Sequence, residues 1–263
     1  MRSSRNAIQQ RQMDLLQHLQ RNGSATVTDL SEILSVSPAT IRRDLESLRQ
    51  HKQVSRYFGG AKTAANIRED DEPAYMATIT QHLDLKRAIA RRAAQMLEDG
   101  DTVFINSSAT ALLIYPYITK NVLIITNNGR SLSVNRPANV NLILTGGEVY
   151  GDKQSLTGYL AVEMLSRVAA TKCILGVSGI SVEGGITSRV IQETTINRTM
   201  LNRCTGSKII VADHTKIGIE HNFFFSSITD ITDLITDNQA SDDKLAPIRR
   251  MGINVTVTEP FAE

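Results

Sequence analysis

At 263 residues the chain is long for one small domain and comfortable for two, so a small module beside a larger one is expected. Hydrophobic residues make up 41 % and charged residues 21 %, with no Trp, which excludes disordered and fibrous classes and suits a globular protein. The net charge of +2 is unevenly spread: residues 1–62 hold ten Lys and Arg against five Asp and Glu and the remainder nineteen against twenty-two, so the N-terminal end is the candidate polyanion binder.

Met1 to Arg11 is polar and basic and lacks the apolar core of a secretory signal, so the cytosol is the expected compartment and no membrane partner is expected. A first helix is predicted from about Ile8 to Gln20, where Ile8, Met13, Leu15, Leu16 and Leu19 recur mostly on one stripe, and Gly23 ends it. Thr28 is the expected N-cap of a second helix that buries Leu30, Ile33 and Leu34. In Val36-Ser37-Pro38-Ala39-Thr40, Ser37 is a strong N-cap and Pro38 sits where a missing N–H costs nothing, so a third helix starts at Pro38. Its Ile41, Leu45 and Leu48 face the first two helices, leaving Thr40, Arg42, Arg43, Glu46 and Arg49 on the exposed sides. The extended piece Gln53 to Phe58, ahead of Gly59-Gly60, fits a small β-wing.

Two helices joined by a short turn, the second opening with small polar residues and arginines, have the geometry to reach base edges in the major groove of double-stranded DNA. Pro38 to Gln50 is then the recognition helix, with Ser37, Ala39 and Thr40 at its first turn, Arg42 and Arg43 placed for guanine edges or phosphates, and Arg56 on the wing. Spacing alone also allows an exposed charged helix in which Asp44 and Glu46 accompany the arginines.

Lys62 to Pro73 is polar and charged without apolar periodicity and reads as a linker. The expected division is residues 1–62 for a winged helix-turn-helix, with the helix-turn-helix itself at about 25–44, then a linker at 63–76 and a second domain at 77–263. In that domain a helix is predicted at Leu83 to Leu97. Strands follow at Val103 to Asn106, Val122 to Thr126, Val140 to Thr145, Lys172 to Val177, Lys208 to Ala212, Leu234 to Thr236 and Ile253 to Val257. Helices fit between them near Ala109 to Ile118, Leu156 to Arg167, Val190 to Asn202 and Asp242 to Arg250. This alternation predicts an α/β domain with a mostly parallel sheet covered on both faces. The longest nearly apolar run, Ala109 to Ile118, is interrupted by Thr110, Pro116 and two tyrosines and falls far short of the about 18 residues a membrane span needs. Cys173 and Cys204 are too few and too far apart for a disulfide framework or a zinc site, so buried thiols are expected, with no metal and no cofactor.

Ligands of open α/β sheets bind beyond the carboxyl ends of the strands, and four loops there are polar and small. Asn106-Ser107-Ser108-Ala109-Thr110 and Thr126-Asn127-Asn128-Gly129 each precede a predicted helix and suit a phosphate. Thr145-Gly146-Gly147-Glu148 allows close backbone approach, and Ala212-Asp213-His214-Thr215-Lys216 adds a carboxylate and an ammonium. Helix caps and turns account for each loop singly; together at one sheet edge they fit a polyol phosphate, which needs many short hydrogen-bonding groups and a cation. Glu193 either points into the same crevice or lies on a solvated helix face, and His214 is given no role.

Val27 to Ala61, above all Val36-Ser37-Pro38-Ala39-Thr40-Ile41-Arg42-Arg43-Asp44-Leu45 and Arg56-Tyr57-Phe58-Gly59-Gly60-Ala61, resembles the DeoR family of bacterial sugar-metabolism repressors. Thr126-Asn127, Thr145-Gly146-Gly147, Leu156-Thr157-Gly158 and Ala212-Asp213-His214-Thr215-Lys216 extend the resemblance over nearly the whole chain. It implies a winged helix-turn-helix that binds operator DNA as a dimer or tetramer, a sensor domain akin to ribose 5-phosphate isomerase, and relief by a phosphorylated sugar. The expected effector contacts are Asn106, Ser107, Ser108, Ala109, Thr110, Asn127, Gly146, Gly147 and Lys216. Where the family usually has Asp-Ser-Gly-Thr-Thr, this chain has Asn106-Ser107-Ser108-Ala109-Thr110, which removes a carboxylate and implies a different sugar or stereochemical preference. The competing function is a sugar-phosphate isomerase or transferase with a regulatory N-terminal module, using Asp213 with Lys216, or Glu193, as acid and base. Asn106 weighs against it, because an amide is no base near neutral pH.

Overall fold

Amphipathic spacing builds the first helices. The computed structural model describes residues 11–19, 24–50, 54–57, 60–63, 80–151 and 153–260, and the chain divides into two units, Met1–Thr78 and Ile79–Glu263. Helix α1 (residues 11–19) buries Leu15 and Leu19, four apart on one face, and Leu16 packs beside them. Met13 is exposed, contrary to expectation, because two residues of helix turn it about 200° away from Leu15. Ile8, Gln20 and Gly23 lie outside the described residues.

Strand β1 (Ser24–Thr26) runs directly into α2 (Val27–Ile33). Thr26 caps this helix rather than Thr28. Its hydroxyl accepts from Asp29 N at 3.1 Å while the Asp29 carboxylate accepts from Thr26 N at 3.0 Å, a reciprocal box. Thr28 has Ser31 three residues on, and that hydroxyl instead donates to Val36 O at 2.6 Å, closing the turn. With the start at Val27 the buried stripe is Val27, Leu30 and Leu34, which turns Ile33 outward, 52 % exposed. Helix α3 (Pro38–Gln50) begins after Ser37, whose Oγ accepts from Thr40 N at 3.2 Å, and buries Ile41, Leu45 and Leu48. Strands β2 (Val54–Tyr57) and β3 (Gly60–Thr63) complete an antiparallel sheet in the order β1-β3-β2, and Val54 joins the core. Because β3 continues to Thr63, the segment expected as linker begins within a strand; residues 64–79 lie outside the described residues.

The second unit opens with α4 (Leu83–Ala94) and continues β4 (Thr102–Ile105), α5 (Ala109–Leu112), β5 (Val122–Thr126), β6 (Val140–Leu144), β7 (Glu148–Tyr150), β8 (Ser155–Thr157) and α6 (Tyr159–Ser166). There follow β9 (Ala170–Gly176), β10 (Gly179–Ser181), β11 (Gly185–Ser188), α7 (Ile191–Arg203), β12 (Cys204–Val211), β13 (Phe223–Ser226), β14 (Asp233–Asp237), α8 (Asp242–Arg250) and β15 (Asn254–Thr258). Seven of these strands form one parallel sheet in the order β15-β14-β12-β9-β4-β5-β6. Its two faces carry separate cores that divide the strands by alternation: Val103, Ile105, Ile174, Ile209 and Val211 on one side, Phe104, Cys173, Leu175 and Ile210 on the other. Burial on both faces is why these strands read as continuous apolar runs. Both cysteines are buried and free, and no described helix is long and apolar enough to cross a membrane.

The predicted helix Ala109 to Ile118 is broken: α5 spans one turn, and a 3-10 turn at Tyr115–Tyr117 follows around Pro116, which cannot donate to a longer helix. Leu156 belongs to β8, not to the following helix, because Gly158, at φ +84°, separates the two. The antiparallel pieces β10-β11-β13 and β7-β8 were not anticipated; at three or four residues each they carry too little pattern to register.

Replacing Thr26 by Ala removes one arm of the capping box and is expected to cost about 1 kcal/mol of N-terminal unit stability. Urea unfolding followed by ellipticity, with amide exchange in α2, measures it.

Candidate DNA-binding and effector sites

Charge on α3 is sorted by the helix itself. Successive residues step by about 100°, so Arg42 and Arg43 are exposed while Asp44 turns inward. Asp44 is held there by Arg11, Nε to Oδ2 at 2.6 Å, and by Gln12 Nε2 at 3.3 Å. The acid therefore anchors α3 to α1 and leaves the outer face basic. At the start of the helix the Ser37 and Thr40 hydroxyls meet at 2.9 Å beside exposed Ala39. Arg56 belongs to β2, but its side chain lies outside the described residues, as does that of Arg49.

In the second unit the chain places β5 and β6 on one side of β4, then returns to lay β9, β12, β14 and β15 on the other. In open α/β sheets such a reversal, here between β4 and β9, marks the strand edge at which ligands bind. Gly176 at the end of β9 makes room for Ser108, whose side chain would collide with any Cβ there. Asn106 is buried at this edge: Nδ2 donates to Gly176 O at 2.8 Å and to Asn197 Oδ1 at 3.0 Å, and Oδ1 accepts from Gly176 N at 3.0 Å. Its amide thus ties β4 to β9 and α7. Ser108 caps α5 through Ala111 N at 3.4 Å, and Ala109 and Thr110 are buried in that short turn.

Ser107 and Asn127 are brought together, along with three residues whose part sequence reasoning left open or did not find. Ser107 Oγ lies 2.5 Å from Ser155 Oγ and donates to Glu193 Oε1 at 3.1 Å. Asn127 Nδ2 donates to Ser155 Oγ at 3.2 Å, and Lys153 Nζ meets Glu193 Oε1 at 2.5 Å. Of the two settings weighed for Glu193, the buried one is found. Lys153 and Ser155 sit on or beside the β7–β8 hairpin, too short to read from pattern; Glu193 and Asn197, four apart on α7, form a face that helical spacing could have revealed. Gly146 and Gly147, at φ +67° and +108°, turn the chain from β6 into β7 at the edge of the sheet.

Lys216 belongs to a different cluster, past the end of β12 and two strand positions from β4. Among the described residues it makes no hydrogen bond to Ser107 or Ser108; its charged neighbours are Asp213 and Lys86. Lys86 Nζ lies 3.7 Å from Asp213 Oδ2, both side chains nearly fully buried. Burial pushes the Lys86 ammonium below its ordinary pKa despite the attraction of Asp213. Burial pushes Asp213 up, but the Thr215 hydroxyl, Lys216, Lys86 and the Thr215 amide together outweigh it and hold the carboxyl below its usual range. His214 is tied to Asp237 here: its Nδ1 meets Asp237 Oδ1 at 2.9 Å, its backbone N–H donates to Oδ2 at 2.7 Å, and its ring lies edge-on to His82 at 4.9 Å.

Two family models match: the DeoR-like helix-turn-helix domain over residues 11–66 and the DeoR C terminal sensor domain over residues 81–238. Among curated relatives, the transcriptional regulator GolR of Listeria innocua is 28 % identical over 253 residues, 95 % of this chain and 98 % of that protein. The regulator GlpR of Haloferax volcanii is 30 % identical, covering 88 % and 90 %. The lactose phosphotransferase system repressor of Streptococcus mutans is 29 % identical, covering 92 % and 96 %. A solved ribose 5-phosphate isomerase A from Methanocaldococcus jannaschii overlaps with TM-score 0.36 and 13 % identity, covering 51 % of this chain and 54 % of that one, too slight a likeness to bear on function.

An unfolded Asp titrates near 3.9, and folded Asp213 titrates lower. The stability its ionised form contributes is complete above the unfolded value and is lost as pH falls through the folded one. Asp213→Asn is therefore expected to melt below the wild type at neutral pH, with the two midpoints converging below about pH 4; calorimetry across pH measures the gap.

Proposed function

The chain belongs to the DeoR family of DNA-binding transcriptional regulators, and on that premise we propose that it represses a carbohydrate-utilisation operon and leaves its operator when a phosphorylated sugar binds the C-terminal unit. One observation carries this reading: α3 exposes Arg42 and Arg43 while folding Asp44 away, in the same chain as a sheet whose strand ends gather hydroxyls, amides and lysines. On DNA, Arg42 and Arg43 read base edges or phosphates, with Ser37, Ala39 and Thr40 at the helix start and Arg56 on the backbone beside the wing. Two copies of the chain, as a homodimer or within a homotetramer, match two half-sites of an operator in the cytosol. In the sensor, Ser107, Ser108, Ala109, Thr110 and Asn127 offer short hydrogen-bonding groups, Gly146 and Gly147 admit close approach, and Lys216 supplies charge.

The protein senses the sugar without converting it. General acid–base work on an aldose phosphate needs a free, positioned carboxylate; Asn106 supplies only an amide engaged on Gly176 and Asn197, and Glu193 is held by Ser107 and Lys153. The amide in place of a carboxylate also shifts sugar preference, since Asn106 Oδ1 already accepts from Gly176 N and its Nδ2 donates to Gly176 and Asn197. An assay of aldose–ketose interconversion by the purified chain tests this; turnover would reinstate the enzyme reading.

Arg42→Ala and Arg43→Ala are each expected to weaken binding to an operator selected from random-sequence DNA by about 1–3 kcal/mol. Gel-shift titration at fixed salt checks this, and unchanged affinity in both overturns the recognition-helix assignment. Lys216→Ala is expected to leave operator binding intact while the complex loses most of its response to sugar phosphate, because release depends on differential effector binding of about 1–3 kcal/mol. The effector is found by thermal shift against a sugar-phosphate panel, since a ligand that binds only the folded chain raises its melting temperature. Equal release midpoints in wild type and variant rule Lys216 out.

A further inference from the structure

The hydroxyls and amides at the ends of β4, β5 and β8 form a directed chain that ends on one ion pair. Asn127 sets the direction. Its Nδ2 donates to the Leu156 carbonyl at 3.1 Å, which only accepts, so this arm of the amide is the nitrogen, and the same arm donates to Ser155 Oγ. Ser107 gives its proton to Glu193 Oε1, so in the contact between the two hydroxyls Ser155 is the donor. Every proton in the series therefore points toward Glu193, whose remaining partner is the Lys153 ammonium.

The pair is asymmetric. Glu193 is buried, 9 % exposed at its side chain, while Lys153 reaches in from the solvent side at 27 %. Lys153 stands in the turn between β7 and β8, and the hairpin is fastened to the end of β5 by Gly129 N to Gln154 O and Leu156 N to Asn127 O. On the other arm of the Asn127 amide, Oδ1 is fully buried and has no partner among the described residues. A buried acceptor left so is costly and is satisfied by a donor brought in from outside.

We propose that Lys153 is a phosphate-binding cation at this strand edge, distinct from Lys216 in the Asp213 cluster and held ready by Glu193 while the site is empty. The phosphate takes the ammonium, and Glu193, relieved of it, accepts from a sugar hydroxyl; a second hydroxyl satisfies Asn127. The exchange rests on the sugar-phosphate reading of the sensor and explains why a carboxylate stands in a site for an anion. A dianion beside Glu193 is repelled unless Lys153 moves between them, and a lysine's single flexible point charge re-aims where an arginine fork would not. Because Lys153 is carried by a hairpin, the exchange also displaces backbone, giving the ligand a means to favour one conformation.

Titration calorimetry of the full chain with inorganic phosphate tests this, with melting curves as the folding control. Lys153→Met is expected to bind phosphate at least about tenfold more weakly, the loss of one charge-assisted contact, and Lys153→Arg to recover part of the affinity. Glu193→Gln, which removes the competing carboxylate, is expected to bind phosphate about threefold more tightly or better. Opposite signs for the two variants are the signature. Equal weakening by both makes the pair a structural strut and overturns the proposal, as does Lys153→Met at wild-type affinity or a wild type that ignores phosphate at millimolar concentration. If the signs hold but no sugar phosphate stabilises the wild type, the sugar reading falls and the ion-pair assignment stands; if a sugar phosphate does stabilise it but the signs fail, the ion-pair assignment alone falls.

Discussion

Apolar cover on both faces of the seven-stranded sheet constrains everything else in the C-terminal unit. Val103 and Ile105 serve one core and Phe104 the other, and the same alternation runs through β9 and β12. With neither face open to water, polar side chains collect where the strands stop, and parallel strands all stop on the same edge. The reversal of strand order between β4 and β9 marks the place on that edge where ligands of such sheets bind. Asn106 belongs to this construction, because its amide holds the two strands in register there rather than standing free.

The sheet edge carries two electrostatic clusters, and each joins elements distant in sequence. Lys153 with Glu193 links the β7–β8 hairpin directly to α7, and Ser107 at the end of β4 donates to the same carboxylate. Lys86 with Asp213 links the first helix of the unit to the end of β12, and the His82–His214 contact reinforces the same junction. Buried pairs of this kind gain little stability over apolar packing but punish the loss of one partner. Of the two, Lys86 with Asp213, buried on both sides, is the one better understood as a device for fixing geometry. The loop bearing Lys216 is thereby tied to the start of α4.

The N-terminal unit sorts charge by the same economy of position. Asp44 sits between two functions: its burial against Arg11 and Gln12 positions α3, and its absence from the surface leaves Arg42 and Arg43 undiluted. A winged module of this size has few apolar residues to spare, and Leu15, Leu19, Leu30, Ile41, Leu45 and Val54 supply one contiguous core.

Much of this was legible in the residues. Ser37-Pro38 marks the start of α3 because a side-chain cap and a proline both act within one turn, and the long strands announce themselves because burial on two faces demands unbroken apolar runs. Other features depended on partners that sequence proximity does not reveal. Thr26 beat Thr28 as a cap because Asp29 could return its bond, and Met13 and Ile33 turned outward once the helix phase was set. The hairpin carrying Lys153 is too short for pattern, and Glu193 looked like any charged helix residue. Local chemistry therefore determined the elements and the polar loops at the strand ends. Which loop residues meet, and which of them are already spent on one another, as Asn106 is on Gly176 and Asn197, was decided only by bringing together residues 70 and 91 positions apart in the chain.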